Sequence, residues 1–471
     1  MKKKIETAEK KNSLFFAVGV VLLLAIVLTW VVKGGAFQGS EFAASDYTRL
    51  GLHDIFTIPF YSIYYFVVQI TFLLSIAVFY GVVSKTSGYK TLVSKFAKFL
   101  NGKEIVFALI ISALITIFAS FSSQWLICLF FIPFFISVFA EMKMDKVAAF
   151  AISFGAILVG VLGATYGTEV LTFFSYYAGA NITDLMYIKV IILVLGFIGF
   201  NVFTVLRLLS VKKKNNALEL VDPIKDETDY KTTNPWPIYV TFILVFVIMV
   251  LGFVNWNLFH ETTIFTDLLT KINEVKIGKE FFIFKNILGN VSAFGAFPLE
   301  SGVVITFVAT LIMGIIYRIK AEKFVESAID GIKAFIKPIA LVVLAYSVFV
   351  IIYMSPFVPT VVNAIMDVDS KLAPFLASVC GMFASIFNVD YGYAAYSLGS
   401  YFASIYPKDV SAISIVLTTI YGLMMFVAPT SLGLIFGLQY TGISYKTWLK
   451  HIWKFALIMF VILEIIYFII L

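Results

Sequence analysis

Hydroxyl, amide and acidic side chains interrupt otherwise apolar stretches at four places in this 471-residue chain. Ser122, Ser123 and Gln124 follow one apolar run, and Thr165, Gly167, Thr168 and Glu169 interrupt the next. Asn388, Asp390 and Gly392 interrupt a third, and Thr430 and Ser431 a fourth. Inside segments of membrane length, such groups are suited to replacing the hydration shell of a small polar solute. A helix broken there exposes unpaired N–H groups at the positive end of one half, which bind a carboxylate. The other half presents bare carbonyls, which suit Na⁺ or an ammonium group. Gly163, Gly167, Gly392 and Gly433 permit the bends and close backbone approach. Glu169 and Asp390 are costly at membrane depth and are functional candidates, for a substrate amino group or a coupling proton. The plainer reading is that Ser, Thr and Asp cap half-helices and Gly permits packing.

The elements that must position these residues are written twice. FASFSS (118–123) and GATYGT (163–168) recur as FASIFNVDYG (383–392) and APTSLG (428–433), 265 residues later. Each copy holds a segment with a polar tip, a short charged gap and a long broken segment. The lysine flanks are swapped: loop 84–103 carries five lysines, whereas loop 358–370 holds Asp367 and Asp369 and no lysine. Interrupted helices in repeats of opposite orientation are the signature of secondary transporters.

Composition places the chain in the bilayer. Hydrophobic residues make up 61%, charged residues 13%, and mean hydropathy is +0.98. A soluble domain runs about 45–50% apolar and about 25% charged. The net charge of +7 comes from lysines at segment ends, which is the positive-inside pattern and not a nucleic-acid surface. Cys128 and Cys380 lie in apolar runs and offer neither a disulfide framework nor metal spacing.

Lysine-rich flanks place the N-terminus inside, with an uncleaved first span at 14–33 and a return at 59–83. The stretch Lys95–Leu100 is amphipathic and interfacial. Segment 105–139 has lysines on both flanks, so it is expected to be a re-entrant hairpin of two half-length helices. Broken span 147–178, span 186–210, linker 212–237, span 238–258, external segment 259–300, and spans 301–317 and 338–355 follow. A second hairpin at 373–404, broken span 410–441 and last span 447–470 complete the chain. The expected fold is an all-α polytopic membrane protein, with inverted-topology repeats, re-entrant hairpins and two discontinuous helices. Its first repeat is 1–211, its linker 212–237, its connecting span and external segment 238–300, and its second repeat 301–471. Nine spans and two re-entrant hairpins put the C-terminus outside.

Several stretches resemble a known family. They include LTWVVKGGAF (28–37), GLHDIF (51–56), GKEIVFALI (102–110), NVSAFGAFPLESGVVITF (290–307), FVESAIDGIKA (324–334) and APTSLGLIFGLQYTGISYKTWLKHIWKF (428–455). In order and spacing they are similar to the YfcC-like branch of the four-carbon dicarboxylate carriers, within the ion transporter superfamily. The resemblance implies a scaffold plus a transport domain in a bacterial inner membrane, commonly a homodimer. It implies carboxylate or amino-acid substrates, no cofactor, and coupling to Na⁺ or H⁺ or exchange. The second hairpin tip, Phe387 to Gly392, departs from the small, hydroxyl-rich tips of that family. Acids at both breaks repel a dicarboxylate and favour an amino acid, especially a cationic one such as arginine or ornithine. A dicarboxylate or short organic acid is the alternative. An intramembrane enzyme or a channel is the rival class, but no HExxH, GxSxG or P-loop pattern appears.

Overall fold

The computed structural model describes residues 13–46, 49–167, 169–226, 231–259, 263–278, 281–366, 373–387 and 391–471. Thr168, Asn388, Asp390 and the acidic pair Asp367 and Asp369 lie outside them.

Helix α1 (Ser13–Val31) leads into a hairpin of β1 (Gly35–Gln38) and β2 (Glu41–Ala44). Helices α2 (Leu52–Tyr65) and α3 (Val67–Val83) meet at a 69° bend, and α4 (Ser87–Leu100) follows. Helix α5 (Glu104–Phe121) reaches the first tip; a 3₁₀ segment (Trp125–Phe130) and α6 (Ile132–Glu141) return. Helix α7 (Lys146–Leu162), with a π turn at Ala151–Gly155, precedes the first break and α8 (Glu169–Ala178). Then come α9 (Met186–Lys214), α10 (Trp236–Phe253), α11 (Ile264–Asn273), strands β3 (Lys276–Ile277) and β4 (Phe281–Phe282), and α12 (Ile283–Leu288). The second half holds α13 (Leu299–Ile316), α14 (Ala321–Met354), α15 (Phe357–Met366), α16 (Ala373–Phe387) and α17 (Tyr391–Ile405). It ends with α18 (Val410–Met424), α19 (Leu432–Thr441) and α20 (Tyr445–Ile470). The fold is an all-α polytopic membrane protein with two small β-hairpins outside its helical body.

Three sequence expectations need correction. Residues 52–58 are helical, and the return span is the bent pair α2–α3. Spans 301–317 and 338–355 are α13 and the long α14, which starts at Ala321 and runs through Pro338 without ending there. The first hairpin arm is not half-length. Helix α5 has 18 residues, about 27 Å at 1.5 Å per residue.

The chain nonetheless doubles back. Thr116 Oγ1 donates to the Ala156 carbonyl (3.0 Å) and Ser120 Oγ to the Gly163 carbonyl (2.6 Å), so α5 and α7 run parallel. Gly160 makes this contact close: a Cβ there would lie 2.5 Å from Ala119 Cβ. In the second half, Gly381 of α16 faces Leu417 and Ile420 of α18, and Thr430 reaches Ile386, again a parallel pair.

Two groups of helices emerge from the packing. Helices α1, α2 and α13 gather around the pair α14 and α3. The crossing of α3 and α14 leaves no room for a side chain: a Cβ on Gly331 would lie 2.1 Å from the Ala77 carbonyl oxygen. The second group holds the hairpins, the broken helices, α9 and α20, with α19 packed on α14 between the groups. Phe37 of β1 stacks on Tyr401 of α17 with ring centroids 3.8 Å apart. Gly35 N–H donates to the Pro356 carbonyl (3.1 Å).

The orientation gives a direct test. Reporter fusions should place Leu471 outside and Lys214 inside, because each hairpin returns to the face it entered. A cytoplasmic Leu471 would refute the inverted assignment of the two halves.

Candidate functional site

The first tip is fastened to the first break by paired polar groups. Thr165 N–H and Thr165 Oγ1 both donate to the Ser120 carbonyl, each at 3.1 Å. The Ser120 and Thr165 hydroxyls lie 3.0 Å apart. Glu169 N–H donates to the Ser123 carbonyl at 3.0 Å, so the tip satisfies one of the open N–H groups at the start of α8. Ser122 Oγ binds within the tip, accepting from Gln124 N–H at 3.2 Å. Gly167 passes close to the tip; a Cβ there would meet the Phe121 carbonyl oxygen at 3.1 Å.

The second half repeats the fastening. Thr430 occupies the position equivalent to Thr165, and its hydroxyl donates to the Ile386 carbonyl at 2.6 Å. Gly392, just past the second tip, lies against Phe173 of α8, where a Cβ would approach to 2.6 Å. The structure thus joins Ser122, Ser123, Gln124, Thr165, Gly167 and Glu169 at one break, and Thr430 and Ser431 at the other.

The two broken helices cross at Gly422, where a Cβ would lie 2.4 Å from the Leu162 Cα. Helix α19 lies antiparallel to α7: Gly433 meets Leu158, Gly437 meets Phe154, and Lys146 Nζ donates to the Gly442 carbonyl at 2.8 Å. The first break lies beside Leu193 of α9, and Phe426 at the second lies against Phe200. Seven residues of α9 separate those levels, about 10 Å. The starts of α8 and α19 therefore flank the crossing, and both carry the positive end of a helix dipole.

The polar groups left open are informative. Buried hydroxyls are almost always hydrogen-bonded. Among the described residues, twelve buried side-chain polar atoms have no hydrogen-bond partner; Ser123 Oγ and Ser431 Oγ are the two that lie at the breaks, one at each. Ser431 is the N-cap residue of α19, yet its side chain makes no capping bond, and it is 7% exposed. No group of three or more His, Cys, Asp or Glu side chains able to hold a metal occurs among the described residues.

One contribution was missed from sequence: the end of α10 supports the first tip. Ser123 N–H donates to the Phe253 carbonyl at 2.7 Å, Ser122 pairs with Val254, and Asn255 lies next to Gly167. The signal available was Asn255, a polar residue directly after the apolar run 238–254.

This architecture, two hairpins fastened to two discontinuous helices in a multi-pass membrane body, is that of a secondary carrier. Residues 67–471 match the DcuC family, described as C4-dicarboxylate anaerobic carriers, and the chain belongs to that family. Its members are carriers, not enzymes. No curated protein matches the chain. Among solved structures, the YdaH transporter of Alcanivorax borkumensis is similar at 11% identity, with 97% of each chain covered and a TM-score of 0.40. MtrF of Neisseria gonorrhoeae, described among antimetabolite efflux pumps, is similar at 11% identity, covering 96% of this chain and 93% of that one, with a TM-score of 0.37. At these values the likeness carries no functional information.

Proposed function

We propose that the protein carries four-carbon dicarboxylates or closely related organic anions across a bacterial cell membrane. The carrying observation is the pair of open buried hydroxyls, Ser123 Oγ and Ser431 Oγ, at breaks where two positive helix ends flank one crossing. Two such ends suit a dianion better than a zwitterion or a cation. The family description supports this substrate class. The preference for amino acids, drawn from Glu169 and Asp390, lacks support from the family. At Glu169 the backbone N–H serves the tip, and Asp390 lies outside the described residues. The YfcC-like branch, a homodimeric assembly, the roles of Thr168, Asn388 and Gly392, and coupling to Na⁺ or H⁺ belong to the same proposal.

Counterflow in proteoliposomes tests it. A four-carbon dicarboxylate should exchange saturably, and arginine, ornithine and neutral amino acids should compete poorly. Ser431→Ala and Ser123→Ala should each weaken dicarboxylate binding about tenfold or more, since a hydrogen bond to a charged group is worth roughly 1.5–3 kcal/mol. The lipid-side change Ile243→Ala, at a residue 60% exposed, should leave it unchanged. Saturable arginine or ornithine exchange without dicarboxylate exchange would overturn the assignment.

A further inference from the structure

Residues 217–226, in the charged connection between α9 and α10, have the composition of a solvated linker, yet they are seated in the protein. At one end, Asp145 caps α7 through the Val147 and Ala148 N–H groups, both at 3.2 Å. The same carboxylate takes Arg207 Nε and Nη2 at 3.0 and 2.8 Å and the Leu218 N–H at 2.8 Å. Lys146 N–H donates back to the Leu218 carbonyl at 3.0 Å. At the other end, Lys90 of α4 pairs with Asp226 at 2.8 Å, with side chains only 10% and 18% exposed. Leu220 and Ile224 between them are 6% and 8% exposed.

This strap bounds a cavity of about 760 Å³ together with α4 and the end of α6. Asp222 sits at its inner side. Its carboxylate accepts the Ile224 N–H at 3.1 Å and lies beside Ser137 of α6. Tyr80 of α3 and Tyr440 of α19 complete the surroundings, and the Tyr440 hydroxyl is buried without a partner. Scaffold helix α3, hairpin arm α6 and broken-helix half α19 therefore converge under one segment of the strap.

We propose that residues 217–226 form a cytoplasmic gate, which in this structure is seated over the meeting point of α3, α6 and α19 and must lift for those elements to part as solute passes. The proposal rests on the carrier reading. The gate is tied at both ends: Lys90 of α4 holds one through Asp226, and Asp145 at the foot of the first broken helix holds the other.

The seat responds to protons. Burial pushes the Asp222 carboxyl up to about 6, against the opposing effects of Ser137, the Ile224 N–H and Lys225. A group whose pKa is raised on seating favours the seated state when protonated, and that contribution is lost as pH rises through about 6. The other charged and titratable groups around the seat are Tyr80, Tyr89, Lys90, Glu141, Lys143 and Tyr440, with Glu219, Lys225 and Asp226 on the strap itself.

A thiol reporter at Leu220→Cys, in inside-out vesicles, reads the seat with a membrane-impermeant maleimide. Rates are compared at each pH with the exposed reporter Asn216→Cys, and the buried Cys128 and Cys380 give the native background. Relative reactivity should fall about threefold to fourfold from near pH 7.5 to near pH 5.5, the span that a carboxyl raised to about 6 allows, and with Asp222→Asn it should be low at both. A cleavable bifunctional thiol reagent bridging Lys90→Cys and Asp226→Cys should stop dicarboxylate counterflow, which should return on cleavage. Relative reactivity independent of pH in both the Asp222 and the Asp222→Asn proteins, or undiminished counterflow with the bridge in place, would overturn the gate. Should the double variant not accumulate, the reactivity series decides alone. A native protein that exchanges no carboxylate sinks the carrier reading and leaves the reactivity series to judge the strap.

Discussion

Arg207→Leu is expected to destabilise the folded carrier by about 3–5 kcal/mol, the usual cost of removing one partner from a buried, hydrogen-bonded ion pair. The Asp145 side chain is 0% exposed, and Arg207 supplies two of its contacts. Without the guanidinium, a charged carboxylate stays in place with three backbone N–H groups as its only described donors. Burial alone would raise the Asp145 carboxyl, but the hydrogen bonds from Arg207 and the Leu218 N–H, with the Arg207 charge, hold it below the usual range. Its contribution is therefore present above the ordinary carboxylate range and is lost as pH falls through the lowered value. Asp145→Asn combined with Arg207→Leu should recover much of the loss, because Asn keeps the cap without the charge. Thermal unfolding in detergent at neutral pH checks this. An unchanged midpoint for Arg207→Leu, or a double variant worse than the single, would show that the pair does not carry the junction.

Gly331→Val should have a comparable effect by a different cause. The added Cβ would lie 2.1 Å from the Ala77 carbonyl oxygen and 2.8 Å from the Gly81 Cα, so the obstacle is backbone on a facing helix. Overpacking of a core costs about 1–3 kcal/mol and more where nothing can rotate away. The α3–α14 crossing should open, and little monodisperse protein should survive extraction. Gly19→Val serves as the control, since a Cβ there meets nothing within 4 Å. Equal yields and unfolding midpoints for the two variants would mean that the crossing is not close in the membrane.

How much of this was legible beforehand depended on local chemistry. The breaks at 163–168 and 428–431 could be read because Gly, Thr, Ser and Pro cluster there, whereas the polar residues elsewhere in the two runs are scattered hydroxyls and one amide that a continuous helix accommodates. The bend at Phe66 carries no comparable mark: Pro59 lies within α2, and the residues on either side of the bend are apolar or aromatic. The span expected at 338–355 starts earlier, because α14 begins at Ala321 and continues through Pro338. In α10 the exposed Ile243 and Leu244 directly precede the buried Val245. Hydropathy cannot distinguish a lipid-facing side from a protein-facing one when both are greasy. The seat of Leu220 and Ile224 was hidden for the converse reason, since their neighbours in sequence are charged and their partners lie on distant helices.

The β1–β2 hairpin adds a mechanical consideration. Strand β1 is anchored at Gly35 to Pro356, while its Phe37 lies flat on Tyr401 of α17. Any displacement of α17 relative to that anchor must unstack the two rings. An aromatic pair is worth about 0.5–1.5 kcal/mol beyond the area it buries, which corresponds to a population bias of roughly 2- to 12-fold at 25 °C, where RT is about 0.59 kcal/mol. That contact acts as a weak detent. It holds a resting position against thermal drift and yields to a modest driving force, so α17 can be both well placed and easily released.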